Sequence, residues 1–539
     1  MRGVVPVQSG KCNARYWNIA AVFLCRNYII NVKTPKMSFY CLGDLSEKMK
    51  STLSNRVLSG MLAVFASVTV FLQTGCNAIK EGDTMHNVKD FGAIGNGIAN
   101  DTAAVQRAID AGGMVYFPAG TYLCGTLFLK SDGGLYLDSG ATLLASPEKK
   151  DYAVEKNSGS SAEKASDAHF IIAVKQKNIT IKGPGRIDGN RKAFWEPPED
   201  WTQTWSVKPW EWRPGQMVYI KECDNVRVQD VELYHSPYWT CFLHGCRDVI
   251  VSGVRIYNHP HTRNGDGIDI DCCRNVVVSN CIIDSGDDCI TLRGSDARLD
   301  RKQPCENITI TNCVLKTICN AIRIGVGGGT IRNALFSNCV INDSRMGISI
   351  CGHYNKSVAV IENIQFDNMR INAQLPIFLL GNSDSAKPVR NISFRHIRGT
   401  ASSAIRILGT PELPVTAVSF SDVRFDWLDG GKPVTKYAPF SGNASLDSPD
   451  GAIYVSYGKD ISFENFRIDW KAADQNWKYG LKTLNSKDID QFRCNFGKEN
   501  ISQVISDDHY RLIIDIDAGR IDPEEGKKLL QKYPEPQTI

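Results

Sequence analysis

Asn275 to Asp284 reads NVVVSNCIID, and its wording returns four times: NITITNCVLK from Asn307, NALFSNCVIN from Asn333, NIQFDNMRIN from Asn363 and NISFRHIRGT from Asn391. The steps between these asparagines are 32, 26, 30 and 28 residues. Within each copy apolar and polar residues alternate in a β-branched run, which is the period of a strand. Strands of a β-sandwich should instead recur at about 8–12 residues with hairpin turns. A unit this short cannot bury its own apolar face, but coiling the chain so that each turn stacks on the last does so, with parallel strands ~4.8 Å apart. The expected fold is therefore all-β, a right-handed single-stranded parallel β-helix. The recurring Asn becomes a ladder at one turn, each amide bonding the amide one coil away. NITIKGPGRIDG from Asn178, NVRVQDVELY from Asn225, DVIVSGVRIYN from Asp248 and DISFENFRIDW from Asp460 extend the stack on both sides.

An open stack needs covered ends. At the start, Asp101 or Thr102 caps a helix whose apolar stripe runs from Ala103 to Ala111, an N-terminal capping helix. Coils are expected over residues 77–510, and DPEEGKKLLQKYPEPQTI suggests a short helix and tail within 511–539. Ahead of the coils, Lys48, Lys50 and Arg56 precede an uncharged apolar run from Val57 to Leu72, followed by Gln73-Thr74-Gly75-Cys76. A basic region, a short apolar region and small residues make a secretory signal. The run is short of the ~20 residues a membrane span needs, and Cys after Thr-Gly resembles a bacterial lipobox. Residues 49–76 are thus expected to be a lipoprotein signal with Cys76 as the lipidated residue, and 1–48 an upstream extension. The protein is then exported and membrane-anchored, periplasmic or at the cell surface, touching the membrane only through its lipid.

The formal net charge is +4, and nine basic against two acidic residues fall before Val57, which leaves the remainder slightly acidic. With 42% hydrophobic residues this is a globular chain with ample core, and neither a polybasic nucleic-acid binder nor a disordered tail protein. Of 18 cysteines, those beyond Cys76 show no paired CxxC metal spacing. Cys281, Cys313 and Cys339 follow Asn in matching contexts and read as core positions. Cys241 and Cys246 are one candidate disulfide pair for an exported chain.

Two carboxylate clusters occupy adjacent repeats: Asn264-Gly-Asp266-Gly-Ile-Asp269-Ile-Asp271 and Ser285-Gly-Asp287-Asp288-Cys289-Ile-Thr-Leu-Arg293. Asp266 and Asp287 are 21 residues apart, close to one coil, so stacking crowds Asp266, Asp287 and Asp288 on one outer face. Like charges that close cannot all ionise, and one should keep its proton near neutral pH. A protonated acid beside ionised ones is what cleavage of a glycosidic bond requires. Polar turn residues or a calcium site are the bland alternatives, and two clusters at one-coil spacing are hard to reconcile with them.

The opening DFGA…DTAAVQ…FPAGTY, the RIDGNRKAFW and RPGQMVYIKECDNVRVQDVELYHSPYW stretches, and above all NGDGIDI and SGDDCITL resemble glycoside hydrolase family 28, the polygalacturonases and relatives, over roughly residues 88–400. The resemblance implies that Asp287 is the general acid. It implies further that Asp266 and Asp288 hold the water and act as base, with inversion at the anomeric carbon, on a pectic polysaccharide. Two family motifs are missing. Asn320 stands where a Gly-His-Gly histidine is usual, and Ser349-Ile350-Cys351 aligns with the Arg-Ile-Lys that binds the sugar carboxylate. Arg293, Arg323, Arg345 and Lys356 are the nearby replacement cations, Arg being suited to hold a carboxylate by two parallel hydrogen bonds. Asn264 and His353 are further substrate-binding candidates. The aromatic run Phe194, Trp195, Trp201, Trp205, Trp210, Trp212 suggests a wall for sugar rings, with Trp195 as its candidate contact.

A polysaccharide lyase on the same fold, which would form an unsaturated product, and a non-catalytic glycan-binding β-helix are the rival readings. No nucleotide loop, zinc motif or activated Ser is visible, so no cofactor or metal is expected, and the chain is expected to act as a monomer.

Overall fold

The computed structural model describes residues 85–155, 166–195, 212–354, 357–382, 384, 386–428, 450–471, 477–517 and 521–538. Cys76 and its leader, Trp201, Trp205, Trp210 and Lys356 lie outside them. The described residues form a long stack of parallel strands in which most strands pair with the one a coil before and the one a coil after. One interior column runs Val226, Val249, Val276, Ile308, Ala334, Ile364, Ile392, Val418, Ile461, Ile489, in register throughout. This is the expected parallel β-helix. Strand alternation sends these residues inward, and coil-on-coil contact buries what no single repeat can bury.

The asparagine ladder is present. Asn225 donates to Asn178 (2.7 Å), Asn307 to Asn275 (3.2 Å), Asn363 to Asn333 (3.1 Å) and Asn391 to Asn363 (2.5 Å). Each of these residues has φ between 54° and 59°, the left-handed turn conformation Asn tolerates because its short amide bonds locally. A second ladder joins Asn312 to Asn280 (3.4 Å) and Asn368 to Asn338 (2.7 Å).

Helix α1, Thr102–Asp110, buries Ala104, Val105, Ala108 and Ile109 against the first coils. Its start differs from the expected cap. The Asp101 carboxylate accepts from the Ile94 and Gly95 N–H groups (2.7 and 2.9 Å), and the Thr102 N–H donates to Asn100 Oδ1 (3.0 Å). Asp101 thus ties down the preceding loop, and Asn100 serves the helix. At the other end the last coil strand closes at Val504, and helices α2 (Asp507–Asp517) and α3 (Pro523–Leu530) follow. The Tyr510 hydroxyl reaches the Gly409 carbonyl (3.0 Å) and the Ser456 hydroxyl (2.8 Å), which fixes α2 on the stack.

Cys241 and Cys246 are both free, like the other described cysteines. Cys223, Cys246, Cys273 and Cys305 instead sit on successive coils, and the Cys246 thiol bonds the Ile220 carbonyl (3.3 Å). They serve as small apolar side chains.

Phe336, Phe366, Phe394, Phe420 and Phe463 stack face to face with ring centroids 4.8–5.0 Å apart. Parallel in-register strands hold the rings at about the coil spacing, so each interior ring of the column packs on two neighbours. Phe394→Ala, which opens a gap inside this column, is expected to cost about 3–5 kcal/mol in equilibrium unfolding, and Phe394→Leu clearly less.

Candidate active site

Five consecutive strands build one outer face: β1 (Cys241–His244), β2 (Ile268–Asp271), β3 (Ile290–Gly294), β4 (Asn320–Gly327) and β5 (Val340–Cys351). Ile268, Ile270, Ile290, Leu292, Ile322 and Ile324 belong to the interior. By alternation Asp269, Asp271, Thr291, Arg293 and Arg323 project the other way. One outer column runs Phe242, Asp269, Thr291, Arg323, Ser349, and beside it His244, Asp271 and Arg293 pair in turn.

The acids sit where the chain enters β2 and β3. The Gly267 N–H donates to the Asp288 carbonyl (2.8 Å) and Ile268 to Cys289 (2.9 Å), so the register continues with Asp288 opposite Asp266. This corrects the pairing expected from the 21-residue spacing. Asp266 and Asp288 share a column, with Trp239 one coil before and Asn320 one coil after, and Asp287 lies one residue nearer the turn. Gly286 makes this possible. A Cβ there would come within 2.7 Å of the His259 and Thr262 carbonyl oxygens, so only glycine lets the turn of residues 259–265 rest on the acid-bearing segment.

Asp266, Asp287 and Asp288 are 4%, 8% and 5% exposed. A carboxylate oxygen of Asp287, one of Asp288 and the Cys319 sulfur lie within 4.8 Å of one another. Two carboxylates and a thiol are not the oxygen-rich set that calcium takes. The Asn264 N–H donates to Asp287 (3.2 Å), and Asp288 receives the Asn320 amide (2.5 Å) and faces Arg323 (3.7 Å). Asp266 Oδ1 is buried with no hydrogen-bond partner among the described residues.

Burial, then the Asp288 charge, pushes the Asp287 carboxyl up to about 7, against the opposing pull of Cys319, Arg323 and the Asn264 N–H. Burial, then Asp269, Asp287 and Asp288, holds Asp266 well above the usual carboxylate range. Asp269 rises to about 8 through burial, which its ion pair with Arg293 only partly offsets. The cluster therefore retains protons near neutral pH chiefly because it is buried, with the crowding of like charges adding to the effect. Burial, then Asp287 and Asp288, also raises the Cys319 thiol, so Cys319 is a neutral neighbour and not a nucleophile.

The other candidates divide. Arg293 is held by Asp269 (3.5 Å) and Asp271 (3.2 Å), and its guanidinium lies 4.3 Å from the Trp239 ring centroid. Arg323 reaches the cluster through Asp288, with its other side 4.3 Å from the Tyr354 ring. The Asn264 side chain turns to Arg213 (3.1 Å), so the residue serves the site through its backbone and not as a substrate-binding amide. His353 is exposed on a short hairpin, and its neighbour Tyr354 faces Arg323. Trp195 is not a sugar wall. It is 2% exposed, donates its indole N–H to the Pro237 carbonyl (2.9 Å) and belongs to the core, while Phe194 and Trp212 pack on Tyr152. Ser349 and Cys351 bond each other (3.5 Å) in a buried position.

Asp269, Asp271 and Tyr354 are site residues that were not singled out from the sequence. Period-two alternation in Ile268-Asp269-Ile270-Asp271 already carries the signal for the two acids. At both margins of this face the surface turns apolar and buried: Tyr219, Tyr238, Trp239 and Phe242 cluster toward one end of the stack, and Met346, Leu375, Phe378 and Tyr454 with Tyr510 of α2 toward the other. The result is a small polar floor that sets a proton donor beside a buried carboxyl group with an unoccupied acceptor oxygen.

A family model described as glycosyl hydrolases family 28 matches residues 135–438. A probable polygalacturonase of Vitis vinifera is 24% identical over 428 residues, covering 73% of this chain and 84% of that protein. An exopolygalacturonase of Zea mays is 24% identical over 368 residues, 63% and 83% of the two chains. Among solved structures, the fold is similar to a family 28 exopolygalacturonase of Yersinia enterocolitica (TM-score 0.58, 20% identity, 76% of this chain and 78% of that one). It is also similar to a hyperthermoactive exopolygalacturonase of Thermotoga maritima (TM-score 0.52, 20% identity, 72% and 92%).

Asp269 keeps its proton in the fold up to about pH 8 and loses it on unfolding near the ordinary value of 3.8. The unfolded chain thus binds fewer protons across that interval, and stability falls as pH rises through it. Asp269→Asn is expected to raise the melting temperature relative to the parent at pH 8, with the gain shrinking toward pH 4 in a thermal denaturation series.

Proposed function

Because the chain belongs to glycosyl hydrolases family 28, we propose that it hydrolyses galacturonan-type bonds of pectin by a single displacement. Asp287 donates its proton to the departing glycosidic oxygen as the bond from that oxygen to the anomeric carbon breaks. Asp266 and Asp288 orient a water molecule, whose oxygen joins the anomeric carbon from the opposite face while one of them takes its proton. The configuration inverts. The carrying observation is the arrangement of Asp266 and Asp288 on adjacent coils with Asp287, poised at about 7, beside them. The unpartnered Asp266 oxygen is the natural acceptor for that water, since buried polar atoms otherwise find partners.

With Ser349 and Cys351 at the usual carboxylate-binding positions, Arg323 takes over the uronate. Its 3.7 Å approach to Asp288 is looser than the grip of Asp269 and Asp271 on Arg293, so its donors are the more available. The polar floor spans three coils, about 10 Å between its outer rungs at ~4.8 Å per coil. Apolar clusters bound it along the stack. At the strand ends, the turn of residues 259–265 stands on one side. On the other, Ser295 is bound to Asp271 (2.7 Å). That length fits about two sugar rings, and with an exopolygalacturonase among the relatives it supports action at chain ends. One chain supplies every residue of the scheme, and a monomer suffices. The Cys76 signal supports export with a lipid anchor, and Cys76→Ala is the variant that should release the protein from the membrane fraction.

Asp287→Asn is expected to lower sugar release from polygalacturonate by about a thousandfold or more, since proton donation is lost at its source. Retained release in that variant, or an ultraviolet-absorbing unsaturated product from the parent, would overturn the mechanism. Chromatography of early digests should show mono- or disaccharide from the first time point, and a ladder of intermediate lengths would refute action at chain ends.

A further inference from the structure

Trp195 and Arg213 lie outside the coils that carry the acids and take no part in the proposed chemistry. Arg213 is fully buried, and the Trp195 ring sits between two guanidinium groups, Arg191 at 5.2 Å and Arg213 at 4.9 Å from its centroid. Arg213 also stands 4.7 Å from the Tyr238 ring. Both cations direct their donors at one stretch of chain. Arg191 reaches the Thr262 hydroxyl and the His261 carbonyl (3.3 Å). Arg213 reaches the Arg263 carbonyl (2.8 Å), Asn264 Oδ1 (3.1 Å) and the Pro237 carbonyl (3.0 Å), which also receives the Trp195 indole.

A buried guanidinium is costly, and an apolar side chain of similar volume would fill the space at less expense. What an apolar residue cannot supply is a rigid fork that fixes three acceptors on two segments at once. The turn so held ends at Asn264, whose φ is 58° and whose N–H meets Asp287 Oδ2 at 3.2 Å.

We propose that Arg213, braced by Trp195, is a positioning residue for Asp287, its fork holding Asn264 so that the Asn264 N–H is presented to the proton-donating carboxyl. This rests on the reading of Asp287 as the acid. The Asn264 N–H is among the groups that draw the Asp287 pKa down, so loosening the turn raises it. The other groups around that carboxyl are Asp266, Asp269, Asp288, Cys319, Arg323 and Tyr354.

The test compares Arg213→Lys and Arg213→Met with Arg390→Met, whose parent side chain lies in an exposed pair with Glu362. Both Arg213 variants should lose roughly tenfold or more in kcat with KM little changed. Because Asp287 works protonated, the alkaline limb of their kcat–pH profile should move to higher pH. Lys should not rescue, since one ammonium cannot span the three acceptors. Should the Arg213 variants fail to fold, Asn264→Gly decides. It keeps the left-handed backbone accessible but removes the Arg213 acceptor, and should move the limb the same way. Carbon NMR titration of the Asp287 carboxyl, independent of turnover, should show the same upward shift. Folded variants with the parental limb and titration would overturn the inference. Activity surviving Asp287→Asn would overturn the mechanism instead, and the NMR titration would still decide whether Arg213 governs that carboxyl.

Discussion

The fixed step between parallel coils governs this protein. Backbone hydrogen bonds hold successive strands ~4.8 Å apart, and every side chain meets its counterpart one coil away at that distance. Where the counterparts are phenylalanines or asparagine amides the step stabilises. Where they are aspartates it forces like charges together. Asp266 and Asp288 have no route apart while Gly267 and Ile268 bond the carbonyls of Asp288 and Cys289. The same stacking that makes the fold cohesive buries its acids and sets them side by side, and burial first, like charge second, raises their proton affinity.

The departures from the family motifs read as a redistribution of roles. Asn320 occupies the histidine position and gives its amide to Asp288, a neutral donor in place of a titratable ring. The usual Arg-Ile-Lys cations are absent, and positive charge sits instead on Arg293, one coil earlier than Arg323, and on Arg323 itself. Each lies against an aromatic ring, Trp239 or Tyr354. A cation stacked on a ring in a low-dielectric setting keeps its orientation without committing all its donors.

The coil architecture was legible because alternation and the even return of Asn leave a signal in every repeat. The acid cluster was legible because its motifs are dense in carboxylates. Three things were not. The pairing of Asp266 with Asp288 depends on a coil of 22 residues in place of 21, a difference that only hydrogen-bond register reveals. Trp195 looks like any cleft tryptophan until the two arginines that flank it are seen, and these come from the separate positions 191 and 213. The Asn264 side chain faces away from the site because Arg213 claims it, and one-dimensional spacing says nothing about such a competitor. The alternation in Ile268-Asp269-Ile270-Asp271 carries the signal for Asp269 and Asp271, though neither was singled out from it.

The phenylalanine column begins at Phe336, the coil after the one that contributes Asn320 and Arg323. A linear array has no global hinge, and it loosens by fraying from its termini while interior units stay docked. Helix α1 and the first coils shield the acids from one direction, and five stacked rings lie in the other. Proteolytic nicking at either extremity would therefore have to unzip many rungs before reaching the acids.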